Sequence, residues 1–247
     1  MIAAANLIVG GFVGLCGVAG FLLPMFYTAS LGMNVSEGLA LSFAAFIVSG
    51  VLGSVNYSKA GNLDCKFGLR LSIGSLVGAV LGVKLNLIIP EENVKILLYM
   101  VVLLSGISIL LRKDKQEETG KKKFLIEKNL PMTLALGFVT GAICSMSGAG
   151  GPILVMPLLV VFGIPVRTAV GVALFNSIFI GIPAVAGYMT QCDLKKILPI
   201  LLLALASHAV GVFYGSKNAT RINQTLLKKG IAIFSIAIAV CKLGGIF

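Results

Sequence analysis

The sequence predicts an all-α, polytopic membrane protein, and three observations carry that prediction. Of 247 residues, 57% are apolar and 12% are charged. The mean hydropathy is +1.02, beyond what a water-soluble domain of this size tolerates. The apolar runs are continuous and rich in Leu, Ile, Ala and Gly, whereas a membrane β-barrel would alternate over ten-residue strands.

Eight apolar blocks follow in order, at 2–34, 35–57, 66–89, 92–111, 130–163, 166–190, 195–215 and 224–246. The first lacks the basic lead of a cleaved signal and stays apolar past residue 28, so it reads as a membrane segment. Blocks one and five are longer than the roughly 20 residues a straight helix needs to cross the hydrocarbon. Both contain glycines and a proline, which predicts broken or re-entrant helices.

The polar stretch "RKDKQEETGKKKFLIEK", 112–128, reads as a cytoplasmic connector. It divides the chain into a membrane repeat at 1–111, the connector at 112–129 and a second repeat at 130–247. At an offset of 131, Gly10 matches Gly141, Gly17 matches Gly148, Gly20 matches Gly151, Gly50 matches Gly181, and Tyr57 matches Tyr188. After a two-residue insertion the offset becomes 133, pairing Gly78 with Gly211 and Gly82 with Gly215. This ordered series predicts an internal duplication, with a binding site between the halves.

The bias of Lys and Arg favours inverted repeats. If blocks one and five dip in and return, the connector side holds Lys59, Lys66, Arg70, the seven of the connector, Arg167, Lys217, Arg221, Lys228 and Lys229, which is 15 of the 20. The alternative, in which all eight blocks span, places fewer there.

"SMSGAGGPILVMP", 145–157, is the strongest local signal. A break at membrane depth leaves backbone groups unpaired unless they face a cavity or a ligand. Pro152 suits the first turn of a new helix, whose N-terminus offers N–H donors and the positive end of a dipole. That end is suited to an anion. "GVAGFLLP" in the first repeat is a weaker copy. Gly17, Gly20, Ser147, Gly148, Gly150 and Gly151 are therefore candidate substrate-binding residues. Ser42, Asn176 and Ser177 join them as polar groups in the following blocks, with hydrogen bonds between helices as the competing role. Gly74, Gly78 and Gly82, by contrast, read as close helix packing. Tyr57 and Tyr188 read as anchors at the membrane interface.

The glycine-rich break followed by apolar residues and proline, then "RTAVGVALFNS", then Gly187-Tyr188 with Asp193-Leu194, resembles the TauE/SafE sulfite exporter family. The resemblance covers both halves outside the connector. It implies transport of sulfite, small organosulfonates or related sulfur-containing anions. Val18 and Ala19 stand where a tighter glycine cluster is usual, so equal half-sites are not expected.

His208 is the single histidine and lies inside block seven, which makes it a candidate for proton coupling. The matching place in the first repeat falls near Val77, so symmetry supplies no partner. The five cysteines show no CxxC spacing and read as free thiols, with no metal site and no cofactor. The net charge of +11 sits at segment ends, where it meets lipid and sets topology, and does not call for nucleic acid.

The expected function is secondary transport of a small sulfur-containing oxyanion across the cell (cytoplasmic) membrane by alternating access. An anion channel using the same glycine site as a filter is the alternative. Enzymatic catalysis is not expected, because the blocks hold no nucleophile–base pair and no pair of acids. A homo-oligomer is left open.

Overall fold

The computed structural model describes residues 1–17, 19–90 and 129–219 continuously, with scattered positions between 92 and 126 and between 229 and 244. Blocks four and eight, the connector, Val18 and Cys241 therefore lie largely outside the described residues. Among the described residues the secondary structure is helical throughout.

Helix α1 (Ile2–Cys16) ends where Gly17 turns left-handed, at φ 75°. After it come α2 (Leu22–Met25) and, without interruption, a π-helical turn at Phe26–Ser30. Two long helices follow, α3 (Val35–Lys59) and α4 (Cys65–Ile88). Asp64 starts α4 by accepting from the Phe67 amide at 3.0 Å. The second half opens with α5 (Leu130–Ser147), capped by Asn129, whose side chain accepts from the Met132 amide at 3.3 Å. Then come α6 (Gly151–Val161), α7 (Val166–Met189) and α8 (Leu194–Asn218).

Helices α3, α4, α5, α7 and α8 are each long and apolar enough to cross a membrane. At 1.5 Å per residue α1 and α6 reach only about 22 and 16 Å, short of a hydrocarbon core of about 30 Å. The long blocks one and five are thus each split into two pieces, as their glycines require.

The centre of the bundle is the crossing of α3 and α7. A Cβ on Gly50 would come within 2.6 Å of the Ile178 side chain and 2.8 Å of the Leu174 carbonyl. A Cβ on Gly181 would meet Ile47 at 2.6 Å and the Phe43 carbonyl at 3.2 Å. Each residue of one set stands 131 positions from its counterpart in the other. As numbering rises along α3 it falls along α7, so the two helices are antiparallel.

Around this pair, α4 packs on α5 and α1 on α8. A Cβ on Gly78 would strike the Phe138 carbonyl, and one on Gly82 the Ala142 carbonyl. Gly211 stands in the same relation to Leu7, and Gly215 to Gly11. Numbering rises together in both pairs, so each is parallel. Helix α4 also runs with α7, since Gly68 faces Phe175 and Gly187 faces Val83. Helix α5 therefore runs the same way as α7. The chain between them must double back, and α6 does so: Gly151 lies beside Ala173 and Ser177, halfway along α7, while Val161 is four residues short of its start.

Large apolar side chains on the outside, among them Ile73, Val77, Leu202, Leu203, Val210 and Phe213, are exposed in the isolated chain and form the surface that meets lipid. The predicted packing role of Gly74, Gly78 and Gly82 is the one they play.

The seam between α1 and α8 yields a direct test. Gly211→Ala forces backbone against backbone and should lower stability by about 1–3 kcal/mol, read as a lower Tm in detergent. Gly11→Ala in the same seam meets nothing closer than the Gly211 carbonyl, 3.9 Å away, and should leave Tm unchanged.

Candidate functional site

The two breaks interlock. Gly148 is left-handed at φ 72°, and Gly150 adopts φ 75° with ψ 154°, a conformation open to glycine. A Cβ on Gly17 would lie 3.0 Å from Val170 and 3.6 Å from Pro152. A Cβ on Gly148 would collide with Leu39 and lie 3.3 Å from Pro24. Each left-handed glycine is thus covered by the proline of the other half.

Between the breaks is a small cavity lined by Val13, Gly17, Gly20, Phe46, Ser49, Ala149, Gly150, Pro152, Ile153 and Ser177. Its volume of about 10 Å³ is roughly that needed by one water molecule. The Phe46 ring wedges into it from α3. One edge lies 2.8 Å from where a Cβ on Gly20 would stand, and the other 3.0 Å from a Cβ on Gly150. The residue 131 positions on from Phe46 is Ser177, which bears the same relation to Gly151, at 2.8 Å. A bulky ring on one side therefore faces a small hydroxyl on the other.

No charged side chain lines the cavity. The Ser177 hydroxyl donates to the Ala173 carbonyl at 2.9 Å and the Ser49 hydroxyl to the Ala45 carbonyl at 3.1 Å, so their protons are already engaged. The donors that remain are backbone amides at the start of α6, where Gly151 and Ile153 have no carbonyl of their own helix to reach. The first half is poorer in them, because the Leu22 and Leu23 amides already donate to Ala19 and Gly20 at 3.1 and 3.0 Å.

Of the candidates named from sequence, Gly17, Gly20, Gly150 and Ser177 line the cavity, and Gly151 adjoins it through Ser177. Ser147 is buried one step behind, donating to the Ile143 carbonyl at 2.7 Å and accepting from the Ala149 amide at 3.4 Å. Gly148 shapes the turn. Ser42 lies away from the lining and donates to the Gly38 carbonyl at 2.6 Å. Asn176 is also outside the lining, fully buried with both side-chain polar atoms unpaired. Phe46 escaped a search for polar ligands, although the 131-residue offset already paired it with Ser177.

Tyr57 and Tyr188 are not interface anchors, since both are buried. The Tyr188 hydroxyl donates to the Ser145 carbonyl at 2.7 Å, and Tyr57 reaches the Leu15 carbonyl at 3.3 Å. Asn86 donates to the Met146 carbonyl at 2.6 Å. These side chains satisfy the carbonyls left open where α1 and α5 stop, which is what a helix end inside a membrane requires. His208 lies apart from the cavity, buried in the seam of α1 and α8. Among the described residues, no group of His, Cys, Asp and Glu is placed to hold a metal ion.

Broken helices meeting at a buried cavity within a multi-pass apolar bundle define a membrane transport protein. A family model described as Sulfite exporter TauE/SafE matches residues 2–241, and the chain belongs to that family. Its relatives include a probable membrane transporter protein of Bacillus subtilis, YdhB, 25% identical over 91% of this chain and 90% of that one. Another, from Haemophilus influenzae, is 26% identical over 94% and 92%. A third, MJ0441 of Methanocaldococcus jannaschii, is 24% identical over 92% and 88%. No solved structure matches the chain. The protein is accordingly a multi-pass protein of the cell membrane.

Tyr188→Phe tests the account of the break. Losing one buried hydrogen bond while keeping the ring stacked on Phe43 should cost about 1 kcal/mol, measured as a fall in Tm in detergent.

Proposed function

We propose that the protein is a secondary transporter of a small sulfur-containing oxyanion, sulfite or an organosulfonate. One site between two inverted repeats is exposed in turn to either side of the membrane. The observation that carries this reading is the meeting of both breaks around Phe46. Two broken chain segments converge on one cavity, and the start of α6, whose first amides its own helix cannot satisfy, presents an uncharged but electropositive end there. The family description supplies the substrate class.

Inversion is supported by the directions of the helices. Corresponding helices α3 and α7 are antiparallel, and both are long enough to span, so the relation between the halves turns one upside down. The first block of each half then enters and returns on its own side, which agrees with the charge bias. The cavity admits about one water, so an anion enters only once Phe46 withdraws from between Gly20 and Gly150. Rocking of one repeat against the other opens it to one face at a time.

Two experiments bear on this. In single-cysteine variants, Cys65 at the start of α4 and Cys192 before α8 occupy matching turns and should label from opposite faces. An impermeant maleimide should reach Cys192 from outside intact cells and Cys65 in inside-out vesicles. Burial, and then the nearby Glu37 carboxylate, push the Cys192 thiol above its ordinary pKa, so its labelling should quicken as pH rises and thiolate forms. Labelling of both from one face overturns the inversion.

In proteoliposomes loaded with sulfite or isethionate, external label should accumulate transiently above its equilibrium level by counterflow, whereas a channel would only dissipate gradients. Gly150→Leu, strained at φ 75° and driven into Phe46, should lower Tm and cut uptake about tenfold or more. Phe46→Ala should raise uptake of bulkier sulfonates relative to sulfite by several-fold. Equal uptake by all three proteins overturns the site.

A further inference from the structure

His208 is fully buried on α8, and neither ring nitrogen has a hydrogen-bond partner. A Cβ on Gly10 would come within 2.6 Å of the His208 carbonyl and 3.1 Å of its Nδ1, which places the ring in the seam where α1 touches α8. The Asn6 backbone lies beside the ring. The Asn6 side chain is in contact with the Tyr27 hydroxyl, Nδ2 at 2.7 Å and Oδ1 at 3.0 Å. Tyr27 is itself buried, in the π-helical turn that follows the first break. Such turns recur at functional sites.

This cluster has no copy in the other half. The residue facing Gly141, as His208 faces Gly10, is Ser75 rather than Val77. Ser75 donates to the Gly137 carbonyl at 3.0 Å and is satisfied, and the matches to Asn6 and Tyr27 at an offset of 131 are Gly137 and Leu158. A buried imidazole left unpaired gives up hydrogen-bond energy without structural return. The ring packs against Gly10 of α1, and Gly10 precedes Val13, a lining residue of the cavity, by about 4.5 Å of helix rise.

We propose that His208 binds a proton that crosses the membrane together with the anion. This rests on the anion-transport reading above. Water entering the α1–α8 seam from one side gives a proton to a ring nitrogen, and water on the other side takes it back. Nothing is oxidised or reduced. The cavity has no cationic side chain, and a positive charge one helical turn away, in a medium of low dielectric, favours an anion there. By linkage the anion favours the proton equally, so the two move in the same direction.

Among the described residues few other charges compete. From Ile2 to Leu15, α1 has no charged side chain. Helix α3 bears Glu37 near its start, with Tyr57 and Lys59 at its far end, and α8 bears Lys195, Lys196 and Lys217 near its ends. The π-helical turn adds the Tyr27 phenol.

The test uses the full chain in proteoliposomes holding a pH dye, with labelled isethionate, whose sulfonate does not titrate near neutrality. The wild type should acidify the lumen as isethionate enters, and an inward proton gradient should concentrate the label about tenfold per pH unit. His208→Gln should still exchange internal for external label but lose both acidification and accumulation. His208→Asn should behave alike, so the result does not depend on one variant folding. Accumulation by the variants at the wild-type ratio, or wild-type exchange without proton movement, overturns the proton site and leaves the anion reading standing. If the wild type exchanges neither isethionate nor sulfite, both proposals fall.

Discussion

Backbone polar groups inside a membrane must be satisfied by protein, water or ligand, and this chain is organised around two places where its own helices stop short of doing so. Where α1 and α5 end, the open carbonyls are taken up by side chains from neighbouring helices: Tyr57 at Leu15, Tyr188 at Ser145 and Asn86 at Met146. Where α6 begins, Gly150, Pro152 and Ile153 line a cavity instead.

Holding those breaks in place requires helices to approach more closely than side chains normally permit. Lipid provides no hydrophobic drive between helices, so contact area and backbone proximity hold them together. The glycines of α1, α4, α5 and α8 serve that purpose, standing opposite backbone carbonyls of the partner helix. Gly50 and Gly181 do the same at the central crossing. The breaks are further locked by exchange, with Pro152 over Gly17 and Pro24 over Gly148. Such reciprocity ties the halves together at the point where relative motion would open the cavity.

Matched scaffolding makes its departures informative. Phe46 of the first half stands where the second has Ser177, His208 of the second where the first has Ser75, and Asn6 of the first where the second has Gly137. A site built with full symmetry would present the same chemistry to a ligand from both sides. Here the first half contributes the Phe46 ring to the cavity and the second contributes the start of α6.

Much of this was legible in the chain itself. Hydrophobic length fixed the spans, because burying apolar residues along about 30 Å of hydrocarbon leaves few alternatives to a helix. Glycine and proline located both breaks, because their backbone preferences act locally. Even the packing glycines were readable from their spacing. The role of Tyr57 and Tyr188 was not, since an aromatic with a hydroxyl at a block end suits lipid headgroups as well as a buried carbonyl. Nor did the sequence reveal that the hydroxyl protons of Ser42 and Ser177 are spent on their own helices, or that Phe46 fills the site. Those facts depend on which helix faces which across the bundle. Local propensity carries no information about that, and close packing between distant segments decides it.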